Sequence, residues 1–326
     1  MSETKQIAEM ANKVSNELFE VFKWKRKLVE DHSWECVNPE QHGNKKDHPS
    51  DCVFYYQNPY DNETKYINTD LKSFKNKSIT KGNINTAIHS LSYATNCAPY
   101  NPNWQRLFQP EESSTVLGML FIYNHCNTYN GDFNAIMESI NIEYNHLEQR
   151  SQIYVCSPYK VTELYSIASD IQKMTGKGEL PLPEEYCFFH PNEMMTKNHF
   201  DSDYNEPATI EILTSPWIII KHGKARKCDA GYLIYYTGEG REIDEFVYFL
   251  DALSYYQILN NKSSVRIKFT KTNAHAALNL TEAIDRYLSD LGHQKEKVED
   301  MINSMVMGTI DKTHPQFTAV EIGLLS

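Results

Sequence analysis

The sequence predicts an α/β protein of the α+β kind, organised as two domains. Three observations point there. The chain has 326 residues, more than the roughly 100–200 that a single core usually serves. Stripes of apolar residues at helical spacing are interspersed with short β-branched and aromatic runs. Charge is also unevenly distributed: residues 1–81 carry 13 basic and 13 acidic side chains, whereas residues 82–326 carry 19 and 30.

Along the first domain, expected over residues 1–150, Ile7, Met10, Val14, Leu18, Val21 and Leu28 form one apolar stripe. The stripe predicts a helix over 4–30, with Ser2 or Thr4 as cap. Turn formers dominate 31–50, interrupted by a short strand at Trp34–Val37. Cys52–Tyr56 and Lys65–Phe74 read as the two strands of a hairpin around Asn58-Pro59-Tyr60-Asp61-Asn62. Ile84, Ala87, Ile88 and Leu91 predict a helix over 82–96 capped by Asn83, followed by a loop over 98–114. Val116–Tyr123 is a buried strand and Phe133–Leu147 a third helix.

The second domain, expected over 151–326, opens with a strand at Ile153–Cys156 and a helix at Val161–Met174. Further strands are expected at Tyr186–Phe189, Thr209–Lys221 (broken near Pro216), Tyr232–Thr237 and Val265–Phe269. Helices are expected at Glu242–Leu259 and Thr281–Met307. The pattern approaches a split βαβ arrangement with an extra strand.

Composition excludes several classes. With 40 % hydrophobic and 23 % charged residues the chain is globular rather than disordered. A net charge of −11 excludes polyanion binding by overall charge alone and makes the N-terminal part the one suited to nucleic acid. The seven cysteines are odd in number and none lies within four residues of another, which excludes the usual zinc-finger and thioredoxin spacings. Reduced cysteines, a polar N-terminus and the lack of an 18-residue apolar run predict a cytoplasmic protein without a membrane span. His190, His199 and Asp201 match no metal-ligand spacing, and no P-loop or nucleophile-elbow motif occurs.

Chemistry concentrates in the hairpin. Asp51 precedes one strand, and Asp70 and Lys72 lie on the next, 19 and 21 residues further on. Alternation along a strand puts Asp70 and Lys72 on one face and Leu71 on the other. Two carboxylates suit a hard divalent cation such as Mg²⁺, with Mn²⁺ as a substitute. Such an ion activates water and neutralises phosphate charge, and a neighbouring lysine can orient the water. Glu17 or Glu20 of the first helix could complete the ligand set.

Asp51 followed by Asp70-Leu71-Lys72 resembles the PD-(D/E)xK nuclease signature, with Pro49-Ser50-Asp51 in place of a strict Pro-Asp pair. The resemblance covers about the first 125–150 residues. It implies a restriction-endonuclease-like αβββαβ core and Asp51, Asp70 and Lys72 as catalytic residues. Asp51, Asp70 and Glu17 become the metal set, with Glu20, Lys81 and His89 auxiliary. The helix after the lysine strand would line the substrate cleft with Lys81, His89 and Tyr93. Lys75 and Lys77 are expected to touch nucleic acid, and the cluster Lys23, Lys25, Arg26 and Lys27 offers a further phosphate contact. The implied activity is metal-dependent hydrolysis of DNA phosphodiesters in restriction or antiphage defence, gated by a partner. Residues 151–326 would bind that protein partner or self-associate. The alternative is a non-catalytic subunit that uses a nuclease-like core as a scaffold, the reading that prevails if Asp51 points away from Asp70.

Overall fold

The computed structural model describes residues 2–141, 152–191, 206–259, 263–290, 299–300, 302 and 305–315. It divides into two compact units, one of residues 1–58, 62–165 and 314–326, the other of 59–61 and 166–313.

In the first unit, helix α1 (Ser2–Val21) stops nine residues before the expected end. Lys23 takes a left-handed conformation (φ 65°). The amides of Lys23 and Trp24 bond back to the carbonyls of Glu20 and Phe19, each at 2.9 Å. These two bonds form a Schellman cap without its usual glycine. The chain then enters the sheet as β1 (Lys25–Arg26), and Leu28, read as part of the stripe, is 98 % exposed. The basic cluster therefore lies past the helix, and Lys27 places its ammonium over the rings of Tyr55 and Tyr66 at 4.9 and 5.2 Å.

The expected strand at 34–37 forms as β2 (His32–Glu35), but it pairs only with β3 (Asp47–Ser50) in a separate antiparallel ribbon. The main sheet contains β1, β4 (Cys52–Gln57), β5 (Thr64–Phe74), β6 (Ser114–Asn124) and β7 (Ile153–Cys156), in the order β1-β4-β5-β6-β7. Between β5 and β6 runs α2 (Lys81–Cys97), so the αβββαβ order holds with Lys25–Arg26 as its first strand. Thr80 caps α2 by accepting from the Asn83 amide, the reverse of the role expected for Asn83. Within the expected loop lies a further helix, α3 (Pro102–Phe108), because Asn101 accepts from the amides of Asn103 and Trp104, both at 2.9 Å, and Pro102 occupies its first turn. Helix α4 spans Phe133–Glu138, and residues 142–147 of the expected third helix lie outside the described residues. Strand β7, expected to open the second domain, runs parallel to β6, so the first unit continues past residue 150 into α5 (Pro158–Lys177).

The two faces of this sheet are covered by different helices. Phe19 of α1 meets Phe54 and Phe121 at ring-centroid distances of 5.0 and 5.9 Å. On the other face Ile84, Ile88 and Leu91 of α2 pack with Leu120 and Ile122 of β6. Gly118 permits that approach, since a Cβ there would meet the Thr95 hydroxyl at 2.5 Å.

The second unit carries a sheet ordered β12-β11-β10-β9-β8, from β8 (Tyr186–Phe188), β9 (Trp217–His222), β10 (Gly231–Tyr236), β11 (Ser264–Phe269) and β12 (Val306–Thr309). β8, β9 and β10 form an antiparallel meander, whereas β10, β11 and β12 run parallel. β10 and β11 are immediate neighbours, so no strand is inserted between them and the split βαβ order does not form. The expected strand at 209–221 divides into α6 (Ile210–Thr214), capped by Thr209, and β9. Helix α7 (Ile243–Tyr255) and helix α8 (Ala276–Asp290) bury Phe246, Phe249, Leu280 and Ala283 against the sheet. Residues 306–307, expected at the end of the last helix, belong to β12, and 291–298 lie outside the described residues. Among the described residues no helix is long and apolar enough to cross a membrane.

Candidate active site

Antiparallel pairing of β4 with β5 sets Cys52 opposite Thr69 and Val53 opposite Asn68. The next position in that register sets Asp51 opposite Asp70, and directly opposed residues share a face. Asp51 lies in the single-residue break between β3 and β4. One carboxylate oxygen accepts from the Leu71 amide at 2.6 Å, which clamps the side chain to the strand that carries Asp70 and Lys72. Behind it, Ser50 donates to Asn68 at 2.5 Å and accepts from the Trp34 indole at 3.0 Å, so the residue before Asp51 is also fixed.

Lys72 donates to the Asp70 carboxylate, two positions back on the same face. The Asp70 side chain is 16 % exposed and that of Lys72 34 %. Burial and the facing Asp70 charge push Asp51 up to about 6, against the lowering effect of the Leu71 amide and Lys72; Asp31 adds a smaller upward contribution. Two opposed carboxylates of which one resists ionisation are a site short of positive charge, and a hard divalent cation supplies it. The residues present therefore fit such an ion.

Lys45 was missed in the sequence. It comes from the turn between β2 and β3, donates to Ser90 at 2.6 Å and senses the charges of Asp70, Asp47 and Lys72. Burial holds its ammonium below the ordinary lysine value. It also lines a cleft of about 480 Å³ with Lys81, Asn85, Thr86, His89 and Ser90 of α2 and Ser139, Ile140 and Asn141. Lys81 and His89 thus lie on one wall of a cleft beside Lys45. Tyr93 lies behind His89, with its hydroxyl 3.3 Å from His89 Nε2.

Other expected residues are placed elsewhere. Glu17 and Glu20 are exposed on α1, the helix covering the opposite sheet face, and Glu17 acts electrostatically on Tyr165. Asp31 is the acid beside Asp51 after Asp70. It reaches that position because its amide bonds to the Asp51 carbonyl at 2.9 Å. Lys75 and Lys77 are exposed just beyond β5. His190 is buried and its Nε2 is engaged with the Pro207 carbonyl at 3.0 Å, while His199 and Asp201 lie outside the described residues.

The geometry joins two acids and a lysine at the ends of adjacent strands, and the comparison with protein families agrees. Residues 1–160 match the family described as GAPS4 protein PD-(D/E)XK nuclease domain. No curated protein and no solved structure matches the chain. Residues 1–160 are accordingly a PD-(D/E)XK nuclease domain of the family found in the GAPS4 defence system.

Proposed function

We propose that the chain is a Mg²⁺-dependent nuclease that hydrolyses DNA phosphodiester bonds in antiphage defence, with Asp51, Asp70 and Lys72 as its catalytic residues. The observation carrying this reading is Asp51 facing Asp70 across adjacent strands, with Lys72 bonded to Asp70. A scaffold subunit has no need of opposed acids that cost each other ionisation.

Asp51 and Asp70 would hold the ion, which supplies Lewis-acid charge and a more acidic water. The Leu71 amide keeps Asp51 aimed at Asp70. Lys72 orients the attacking water and offsets charge that grows on the phosphate. Lys45 and Lys81 bring the substrate backbone to the cleft beside α2. Lys75 and Lys77 extend that basic path along exposed backbone after β5. Residues 151–326 hold 24 of the chain's 43 acidic residues and serve partner binding, self-association or regulation. An acidic surface there limits unguided attraction of DNA, so a partner gates access.

The test is cleavage of plasmid and single-stranded DNA by the full chain with Mg²⁺ or Mn²⁺. Wild type is expected to cut, Asp70→Ala to be inert and Lys72→Ala to be slowed about 10²-fold, both variants being folded by circular dichroism. A folded wild type that fails to cut DNA with every candidate partner supplied would turn the reading to the scaffold alternative.

A further inference from the structure

A second cluster of ligand atoms in the first unit plays no part in the proposed chemistry. Cys36, His42, His48 and Cys97 each direct one donor atom inward, and the four atoms lie within 4.8 Å of one another. Two thiols and two imidazoles are the donor set of a closed, four-coordinate zinc centre. A tetrahedral ion with bonds of about 2.0–2.3 Å separates its ligands by roughly 3.3–3.8 Å, within that span. Cys36 Sγ already lies 3.1 Å from His42 Nδ1.

His48 gives the independent pointer to a ligand. Its side chain is fully buried, and neither ring nitrogen has a hydrogen-bond partner. An imidazole buried with both nitrogens unsatisfied is costly, and an ion supplies a partner for one of them. The surroundings fit thiolate ligation as well. The Val37 amide donates to Cys97 Sγ at 3.4 Å, and Asn101 Nδ2 lies 4.0 Å from the same sulfur. Amide donors to sulfur of this kind fix and stabilise a metal-bound thiolate. Rings pack around the imidazoles, with Trp34 4.9 Å from His48 and Tyr93 5.1 Å from His42.

We propose that Cys36, His42, His48 and Cys97 bind one structural Zn²⁺ that ties the turn between β2 and β3 to the end of α2. Soft thiolates and imidazoles in a tetrahedral set favour Zn²⁺ over the hard Mg²⁺ expected at Asp51 and Asp70. The ion has four protein ligands and no open position, so its role is to hold the fold. What it holds matters for the nuclease site: Lys45 lies between His42 and His48, and Asp51 follows three residues after His48. The spacing hid this centre, since the fourth ligand, Cys97, follows His48 by 49 residues.

The test is metal analysis of the full chain purified from zinc-supplemented culture without chelator. About one zinc per chain is expected, retained in excess Mg²⁺ and released when a mercurial blocks the thiols. Asp70→Ala should keep its zinc, which separates this centre from the nuclease site. Cys36→Ser and His48→Asn should each lower zinc content at least about fivefold. Cobalt(II) loading should give the visible absorption of a tetrahedral thiolate complex. A folded wild type with no zinc, or zinc retained in full by both folded ligand variants, overturns the proposal. If the variants do not fold, wild-type stoichiometry and the cobalt spectrum still decide it.

Discussion

Each unit of this chain places an aspartate and a lysine together on or against its sheet, and the two pairs end in opposite states. In the second unit Lys268 bonds both oxygens of Asp170 at 2.9 and 2.7 Å, and the Tyr235 hydroxyl adds a third bond at 2.9 Å. That carboxylate is fully matched by donors, and its charge is neutralised where it stands. In the first unit Lys72 serves Asp70, but Asp51 faces the same carboxylate from the neighbouring strand. One lysine against two opposed acids leaves a demand for positive charge. An Asp–Lys pair is thus architecture when its donors saturate it, and in the proposed function it becomes a reaction centre when a second acid unbalances it.

The sharpest way to break this comparison is to remove one acid from each unit. Asp70→Asn should cut metal-dependent cleavage by about 10³-fold or more with little loss of stability. Asp170→Asn should leave cleavage unchanged and cost about 2–3 kcal/mol in denaturant unfolding, because Lys268 loses its charged partner in a mostly buried setting. Equal effects on activity would erase the distinction. Lys72→Ala should lower the cleavage rate about 10²-fold while KM for DNA changes little, as expected of a group acting on the attacking water. Lys45→Ala should weaken cleavage about tenfold, chiefly through KM, whereas Glu17→Gln should stay within about twofold. A large loss in Glu17→Gln would restore the helix-one glutamate as a ligand.

The pH dependence sharpens the same contrast. Asp51 titrates near 6 in the folded chain against 3.8 as its ordinary value. Between those values the folded chain keeps a proton that the unfolded chain releases. For this group, stability therefore falls as pH rises through the window, and the penalty is complete above pH 6. A divalent cation at the pair offsets that penalty. The gain in melting temperature on adding Mg²⁺ should accordingly be small near pH 5 and grow as pH passes 6, with cleavage rising over the same range. A Mg²⁺ effect independent of pH would place the ion elsewhere.

Much of this was legible in the sequence, for identifiable reasons. Asp51, Asp70 and Lys72 converge because a hairpin with strict alternation leaves few other registers once Val53 and Ile67 must face opposite sides of the sheet. Both β5 and α2 follow from long periodic stretches. The end of α1 did not, because Lys23 adopts a left-handed conformation that usually marks glycine, and Leu28 continued the spacing by chance. The first sheet strand is two residues long and carries no pattern at all. Lys45 sits in a turn whose position depends on tertiary contacts with α2, and the Cys36–His42–His48–Cys97 cluster depends on the same packing. Helix α3 was readable in retrospect from Asn101-Pro102 followed by Trp104 and Phe108 four residues apart.

The most direct test of the central claim is Mn²⁺ binding to the full chain followed by electron paramagnetic resonance, comparing wild type, Asp70→Asn and Asp170→Asn. Wild type and Asp170→Asn are expected to bind the ion alike, and Asp70→Asn to lose it at the same concentrations. Undiminished binding by a folded Asp70→Asn would contradict the account, because the opposed carboxylates would not be what holds the metal.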